Sequence, residues 1–396
     1  MVRGRITGLA VSDVRFPTSL GHHGSDAMHP DPDYSAAYVI IETDARDGLK
    51  GYGLTFTLGK GTEVVVCAVN ALSIHVVNKD LEEIVSDFRG FYRQLTSDGQ
   101  LRWIGPEKGA VHLATAAVLN AVWDLWAKQE GKPLWKLLVD MDPKQLLSCI
   151  DFRYITDALT EEEAHEILQN GLLGKTEREE QVLKHGYPAY TTSCAWLGYP
   201  DQQLKQLCTD ALKDGWTRFK VKVGADLQDD IRRCRLIREM IGPDKTLALA
   251  PLGIGVATGE QCHNRVIFKQ LLQAKALSYL QIDSCRLGSV NENLSVLLMA
   301  KKFQIPVCPH AGGVGLCELV QHLIIFDYIS VSGSLENRMC EYVDHLHEHF
   351  KYPVVIQKAS YVPPQDAGYS TEMKEDSVRK FQFPQGEVWQ KLLSKP

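Results

Sequence analysis

Several features that mark particular classes of protein are missing from this sequence of 396 residues. Its ten cysteines include no C-x-x-C pair, which argues against a disulfide framework and favours reduced thiols inside a cell. The longest apolar run, near residues 246–258, is too short to span a bilayer and contains Pro251. Because the formal net charge is only −6, the electrostatics favour neither nucleic acid nor an anionic membrane as a partner.

Two further signals are absent. The stretch Gly312–Gly315 lacks the G-x-G-x-x-G spacing of a dinucleotide site, so we attribute its glycines to a close backbone approach. No apolar signal peptide opens the chain, and strand-like sequence begins almost at once. Arg3 and Arg5 precede the first acidic residue, Asp13, which is a faint indication of a transit peptide. The sequence by itself therefore predicts a soluble intracellular protein.

The length and the composition, 44% hydrophobic and 23% charged, suit two globular domains. The first, residues 1–145, is predicted to be α+β. Its first part is predicted to be a three-stranded meander over Arg5–Phe16, Ala36–Asp44 and Lys50–Phe56. Helical periodicity then extends from Thr62 to Leu138, with its clearest helix at His112–Lys128.

The second domain, residues 146–349, is predicted to be a (β/α) barrel. Strands are expected at Leu146–Ile155 and Pro188–Leu197, on either side of a charged helical insertion, Asp157–His185. Strand and helix then alternate every 25–30 residues or so, roughly the length of one βα unit. The Pro- and charge-rich end, residues 350–396, is expected to return to the first domain.

Two lysines lie at the end of one predicted strand. Lys220 and Lys222 are two positions apart, so in a strand their side chains share one face. A helix is expected next at Asp226–Met240, followed by a strand at Thr246–Ala250. The lysines therefore occupy the strand end of one βα unit.

Other polar residues recur at strand ends with the same rhythm. They are Glu260, Asp283, His310 and Glu341, the last beyond a predicted strand at Tyr328–Ser334. In a barrel of parallel strands these ends converge on one mouth, where a lysine, a His–Asp pair and carboxylates provide acid–base chemistry. Each residue alone has an ordinary explanation as a cap, a turn former or an ion-pair partner. Because all of them recur at successive predicted strand ends, we favour the interpretation that they form one site.

A histidine cluster has two interpretations. His345, His347 and His349 alternate, and on a strand they could ligate a metal. Their charged neighbours Asp344 and Glu348 favour an exposed helix end instead.

Five motifs together resemble the enolase superfamily, specifically its L-fuconate dehydratase branch, over essentially the whole chain. They are GHHGSDAM (Gly21–Met28), FKVKVG (Phe219–Gly224), ATGEQ (Ala257–Gln261), QIDSCRLGSV (Gln281–Val290) and CPHAGGVGL (Cys308–Leu316). The resemblance implies an α/β fold in which an α+β capping domain covers a modified (β/α) TIM-type barrel. It also implies a Mg²⁺-dependent hydro-lyase of carbohydrate catabolism, a sugar-acid substrate, a mitochondrial location and a possible homo-oligomer.

The resemblance also implies roles for individual residues. Lys222 would remove the proton α to the substrate carboxylate, with Lys220 beside that carboxylate. His310, oriented by Asp283, would be the second acid–base group, and Glu260 would be one of three Mg²⁺ ligands. The substrate-binding residues would be Lys220, Glu341 and, in a lid of the capping domain, Gly24, Ser25, Asp26 and Tyr34.

The sequence departs from the family at the metal site. The family's other two ligands, an Asp in D-x-N and a Glu in E-E-P, have no counterpart here. Lys222 and Glu260 are 38 positions apart (260 less 222), whereas three strand-end steps need roughly 75–90 residues. No Asp or Glu lies between Asp244 and Glu260. We therefore expect the third-strand end and the fourth strand to be absent after Ala250, leaving an incomplete barrel with impaired activity.

Two alternatives remain open at this point. A racemase or cycloisomerase of the same superfamily would share the lysines and the His–Asp pair, although the GSDAM lid and the insertion favour a dehydratase. A non-catalytic variant that acts through binding or mixed assembly would explain the missing ligands.

Overall fold

The computed structural model describes residues 2–105, 107–248 and 255–394. The strands are β1 Ile6–Arg15, β2 Ser35–Thr43, β3 Gly51–Thr57, β4 Tyr187–Thr191, β5 Arg218–Lys220, β6 Thr246–Ala248, β7 Ala257–Thr258, β8 Tyr279–Leu280, β9 Cys340–Tyr342, β10 Ile356–Gln357 and β11 Ser360–Tyr361. The helices of the first half are α1 Thr62–Leu72, α2 Leu81–Ser86, α3 Phe88–Thr96, α4 Gly109–Gln129, α5 Leu134–Asp140, α6 Pro143–Ser148, α7 Glu161–Asn170 and α8 Lys175–His185. Those of the second half are α9 Asp201–Lys213, α10 Leu227–Ile241, α11 Arg265–Gln273, α12 Ser289–Lys302, α13 Leu316–Phe326, α14 Glu375–Phe381 and α15 Glu387–Leu393.

The N-terminal part is an antiparallel sheet, β1-β2-β3, packed on α4, which confirms the predicted meander and helix. The helix approaches β3 so closely that a Cβ on Gly53 would lie 2.1 Å from the carbonyl oxygen of Ala117. Only glycine fits there. By length and composition α4 could cross a membrane, but 89% of its most apolar window is buried in the protein, as is usual for a core helix.

Parallel strands in the C-terminal part form most of a ring. In order around the ring, β6 pairs with β5, β5 with β4, and β4 with β9. The ring continues through residues 307–310, since Glu341 N donates to the Pro309 carbonyl (3.2 Å) and His310 N to the Ile282 carbonyl (3.0 Å). It ends with β8 and β7, which pair with each other. Within the described ranges no hydrogen bond joins β7 to β6, and residues 249–254 lie outside those ranges.

The C-terminal residues pack against the N-terminal sheet. Phe383 N donates to the Asp13 carbonyl (2.8 Å), and the Trp389 indole donates to the Arg15 carbonyl (2.8 Å). Residues 383 and 389 therefore contact the first sheet. The domain limits 1–145, 146–349 and 350–396 stay predictions.

Two predicted strands are wrong. In place of a strand at Leu146–Ile155, the chain forms α6 and then turns, because Asp142 caps the helix by accepting from the amides of Lys144 and Gln145. In place of a strand at Tyr328–Ser334, a π-helical segment, Asp327–Ser332, extends α13.

Other predicted elements are correct in type but differ in extent. The strand with the lysines ends at Lys220, so Lys222 lies just beyond it, and β4 covers only part of Pro188–Leu197. Glu341 lies inside β9. The charged insertion is helical, as α7 and α8. Of the predicted strand Thr246–Ala250, the described residues include only 246–248.

Candidate active site

An ion pair between a partly exposed lysine and a buried glutamate lies at the mouth of the ring. Lys220 Nζ lies 2.8 Å from Glu341 Oε1, and the amide of Ala311 donates to Glu341 Oε2 (3.0 Å). The Glu341 side chain is 1% exposed. Burial would raise the pKa of Glu341, but Lys220, His310 and Lys222 outweigh it and hold the pKa well below its usual range. Glu341 is therefore ionised, and it neutralises Lys220.

A histidine–aspartate pair lies beside this ion pair. His310 Nδ1 donates to Asp283 Oδ2 (2.8 Å), so its Nε2 is left facing the mouth, 3.8 Å from Glu341 Oε2. Arg286 Nη1 donates to the same Asp283 oxygen (3.0 Å). Burial would raise the pKa of Asp283, but Arg286 and His310 outweigh it and lower the pKa to about 2. The hydrogen bond to Asp283 therefore fixes which nitrogen of His310 faces the mouth.

The lid reaches the second lysine. Asp26 Oδ2 lies 3.6 Å from Lys222 Nζ, and the Ser25 side chain lies at the base of the lid, bonded to the His22 carbonyl (2.7 Å). A Cβ on Gly24, whose φ is +81°, would lie 2.3 Å from the Tyr34 hydroxyl. Gly24 therefore provides both a left-handed backbone and space.

The Tyr34 hydroxyl faces the acidic side of the mouth. Burial raises the pKa of Tyr34, and the nearby carboxylates of Glu341, Asp26 and Glu260 raise it further. The Tyr34 hydroxyl therefore stays protonated.

The donors present at the mouth do not fit a Mg²⁺ site. Glu260 Oε2 lies 3.6 Å from His310 Nε2, whereas Asp283 and Glu341 are engaged by His310, Arg286 and Lys220. In the part of the chain that the structure describes, no three His, Cys, Asp or Glu side chains are grouped to hold a metal ion. Residues 249–254 contain no acid either. One carboxylate does not meet the demand of Mg²⁺ for several oxygen ligands.

The structure brings most of the predicted site residues together: Lys220, Lys222, Glu260, Asp283, His310 and Glu341 at the mouth, with Asp26 and Tyr34 beside them. Their catalytic roles stay predictions. Arg286, three residues after Asp283, was not predicted from the sequence, although its position in the QIDSCR motif could have indicated it. His23 and Tyr199 were not predicted either, and their Nδ1 and hydroxyl share a hydrogen bond (2.6 Å) across distant parts of the chain.

The histidine cluster is not an exposed helix end. His345 packs against the rings of His23 and Tyr34, with centroids 5.6 and 5.3 Å away. His347 Nδ1 lies 2.7 Å from Glu318 Oε1, and His349 Nδ1 lies 3.0 Å from Ser377 Oγ. The three side chains therefore make separate contacts.

Family comparisons agree with the architecture. Residues 28–139 match the N-terminal domain of the mandelate racemase / muconate lactonizing enzyme family, and residues 203–251 and 246–377 match the enolase C-terminal domain-like family. The chain belongs to the enolase superfamily. Its fold is accordingly an N-terminal capping domain with a C-terminal barrel-like domain.

Individual relatives within the superfamily are similar over nearly their whole length. Human mitochondrial enolase superfamily member 1 is 76% identical over 438 aligned positions, covering 99% of both chains. Its crystal structure superposes with a TM-score of 0.98 at 75% identity, over 99% of each chain. L-Galactonate dehydratase of Hypocrea jecorina is 47% identical over 427 positions, covering 96% of this chain and 94% of the relative.

A more distant structure shares the fold. L-Talarate/galactarate dehydratase from Salmonella typhimurium, liganded with Mg and L-lyxarohydroxamate, superposes with a TM-score of 0.71 at 18% identity. The match covers 96% of this chain and 93% of that one. Solved structures with this superfamily fold therefore include Mg-bound sugar-acid dehydratases.

Proposed function

We propose that this chain carries the sugar-acid site of a hydro-lyase similar to L-fuconate dehydratase, and that its turnover is impaired. The main support is that the His310–Asp283 pair, Lys220 and Lys222 lie at one mouth of the barrel, beneath the lid. A base and an acid at one mouth suit removal of the proton α to a carboxylate and expulsion of a β-hydroxyl.

The residues of this chain suit distinct tasks in that reaction. Lys222 would take the α-proton. Burial would lower the pKa of Lys220, but Glu341 and Glu260 outweigh it and raise the pKa, so Lys220 stays a cation that attracts a substrate carboxylate. His310 would deliver a proton from Nε2 to the departing hydroxyl, while Asp283 holds Nδ1. A substrate carboxylate must compete with Glu341 for Lys220.

We propose impaired turnover because the residues at the mouth do not form a Mg²⁺ site. Members of the superfamily use Mg²⁺ to stabilise the enediolate that forms after proton removal, and the donors present here do not fit that ion. Without it, the negative charge that develops on the substrate carboxylate is opposed mainly by Lys220 and Lys222. The free-energy loss from a missing Lewis acid is several kcal/mol, which corresponds to at least about a thousandfold in rate.

Three observations support an absent internal block. The C-terminal family matches in two pieces that meet at residues 246–251. The alignment to the human relative has at least 42 positions without a residue of this chain (438 less 396). Both residues of β7 are exposed, whereas an inner barrel strand with neighbours on both sides is covered. All three suit the loss of the fourth strand between β6 and β7.

Names of relatives support the substrate class and the location. A 47% identical relative is named an L-galactonate dehydratase, and a 76% identical one is named mitochondrial. We therefore propose a six-carbon aldonate such as L-fuconate or L-galactonate as the ligand, and the mitochondrion as the location.

A second candidate is a non-catalytic member that binds sugar acid or assembles with a complete relative. The incomplete donor set around Glu260 favours it. Co-purification with the human relative would support mixed assembly, and its absence at micromolar concentrations would contradict it.

Incubation of the purified chain with L-fuconate or L-galactonate and Mg²⁺ tests the proposal. We expect saturable binding by calorimetry, and keto-acid formation at least about a thousandfold slower than with the human relative. Lys222→Met should abolish the remaining keto-acid formation by removing the base, whereas Lys213→Met, at an exposed ion pair with Asp210, should not change it. Turnover at the relative's rate would contradict impairment. An epimer or lactone product would contradict the dehydratase assignment, and absence of any binding would contradict the site.

A further inference from the structure

The lid (Gly21–Met28) rests on the segment that follows β4, Ala195–Tyr199, which we call the platform. Two platform amides donate to Ser25: Leu197 N to its carbonyl oxygen (3.2 Å) and Gly198 N to its Oγ (2.9 Å). These bonds lie beside the hydrogen bond between the lid histidine and the platform tyrosine described above. The platform is therefore the barrel's partner for the closed lid.

Gly198 leaves no room for a side chain. A Cβ there would lie 2.6 Å from the Cβ of His22 and 3.0 Å from Ser25 Oγ, both of which belong to the lid. Gly198 does not have a positive φ, so its backbone suits other residues equally well. The glycine is needed for space between platform and lid, not for its conformational freedom.

Arg233 of α10 anchors the platform from below. Its guanidinium donates to the carbonyl oxygens of Ala195 (3.2 Å), Trp196 (2.8 Å) and Lys222 (3.0 Å), and the residue is 2% exposed. The amide of Lys222 donates in turn to the Ala195 carbonyl (3.2 Å). The buried guanidinium of Arg233 therefore joins the platform to the backbone of Lys222, the candidate base.

We propose that Gly198 and Arg233 are positioning residues that set lid closure over the mouth. Arg233 holds the platform in register with Lys222, and Gly198 provides the space in which the lid docks on that platform. The closed lid then places Asp26 beside Lys222. The consequence for sugar-acid binding rests on the proposed function, whereas the consequence for the lid itself does not.

Hydrogen–deuterium exchange of Gly198→Ala tests the role of the glycine. Because the added Cβ displaces the two bonds to Ser25, amides of residues 18–33 should exchange about tenfold faster. The melting temperature should stay within about 2 °C of the parent, since the lid carries little of the core. Gly99→Ala is the matched control, because a Cβ on Gly99 meets nothing within 4 Å. Unchanged lid exchange in Gly198→Ala would overturn the proposal.

A ligand measurement separates this inference from the proposed function. Gly198→Ala should bind L-galactonate about tenfold more weakly than the parent, with an unchanged melt. If the parent itself does not bind, the proposed function is contradicted and lid exchange alone decides the docking role. Equal affinity of parent and variant, with both binding, would contradict control of the mouth by the platform.

Arg233→Lys tests the anchor. A lysine keeps the charge but cannot bridge three carbonyls, so exchange should rise both in the lid and at residues 219–224, with β1–β3 unaffected. The neighbouring Arg232→Lys is the control, since Arg232 is half exposed and pairs with Asp201 and Asp229. A uniform rise across the barrel, or loss of folding, would overturn the positioning role of Arg233, and the Gly198 variant would still decide the lid contact.

Discussion

Lys220→Met is expected to lower the free energy of unfolding by about 3–5 kcal/mol, the range found when one partner of a buried ion pair is removed. The Glu341 side chain is 1% exposed, and its pKa lies well below the usual range. Without Lys220, its nearest remaining partners are the Ala311 amide at 3.0 Å and His310 Nε2 at 3.8 Å. An ionised buried carboxylate would then lack its main counter-charge.

Urea denaturation of the single and double variants measures this effect. Adding Glu341→Gln to Lys220→Met should recover most of the loss, because the buried charge is removed together with its partner. Lys213→Met is the control for loss of an exposed lysine, and it should stay within about 0.5 kcal/mol of the parent. A Lys220→Met variant as stable as Lys213→Met would contradict the ion-pair account.

Loss of stability between about pH 6.5 and pH 9 is the second large expected effect, and it arises from His347. Nδ1 of His347 lies 2.7 Å from Glu318 Oε1, and Nε2 lies 2.6 Å from the Val343 carbonyl. Both neighbours only accept, so both bonds form only with the doubly protonated ring. Burial would lower the pKa of His347, but Glu318 and the Val343 carbonyl outweigh it and raise the pKa to about 9.

The direction of this pH dependence follows from the linkage between protonation of His347 and folding. The pKa is raised above its ordinary value of 6.5, so the stabilisation is complete below pH 6.5 and is lost as the pH rises through about 9. The loss is roughly 3 kcal/mol at 1.36 kcal/mol per unit of pKa. Other groups also titrate in this range, so the measurement is the difference in unfolding free energy between parent and His347→Gln. That difference should shrink with rising pH, and a constant difference would contradict a charged His347.

Local signals in the sequence predicted much of the fold. Three strand-like runs joined by polar or Gly-rich turns predicted the meander β1–β3, and the motif FKVKVG predicted Lys220 and Lys222 at the barrel mouth. The two wrong strands share one cause, because a short apolar run does not distinguish a strand from a buried helix. For the first, the helix-capping signal Asp142-Pro143 was present in the sequence. For the second, Asp327–Ser332 continues a buried helix, and its β-branched residues are of the type that is common in strands.

The contacts that organise the site could not be predicted from local patterns. The Ser25–Gly198 and Lys220–Glu341 contacts join residues 173 and 121 positions apart. Such pairs depend on how the capping domain sits on the barrel, and no periodicity encodes that placement. Arg233 was not predicted because it donates to backbone carbonyls, which no spacing in the sequence reveals. Arg286 donates to Asp283, and only its position in the QIDSCR motif could have indicated it.

A thermal melt with increasing Mg²⁺ tests the central claim most directly, which is that the chain retains the sugar-acid mouth but has lost its metal site. The human relative, measured alongside, is the positive control. We expect the melting temperature of this chain to stay within about 1 °C up to millimolar Mg²⁺. A metal present at 100 times its Kd would add about 2.7 kcal/mol, or roughly 5–11 °C for a domain of about 150–250 residues. A rise of that size would contradict the account, because it would mean that the single carboxylate of Glu260 has gained other ligands.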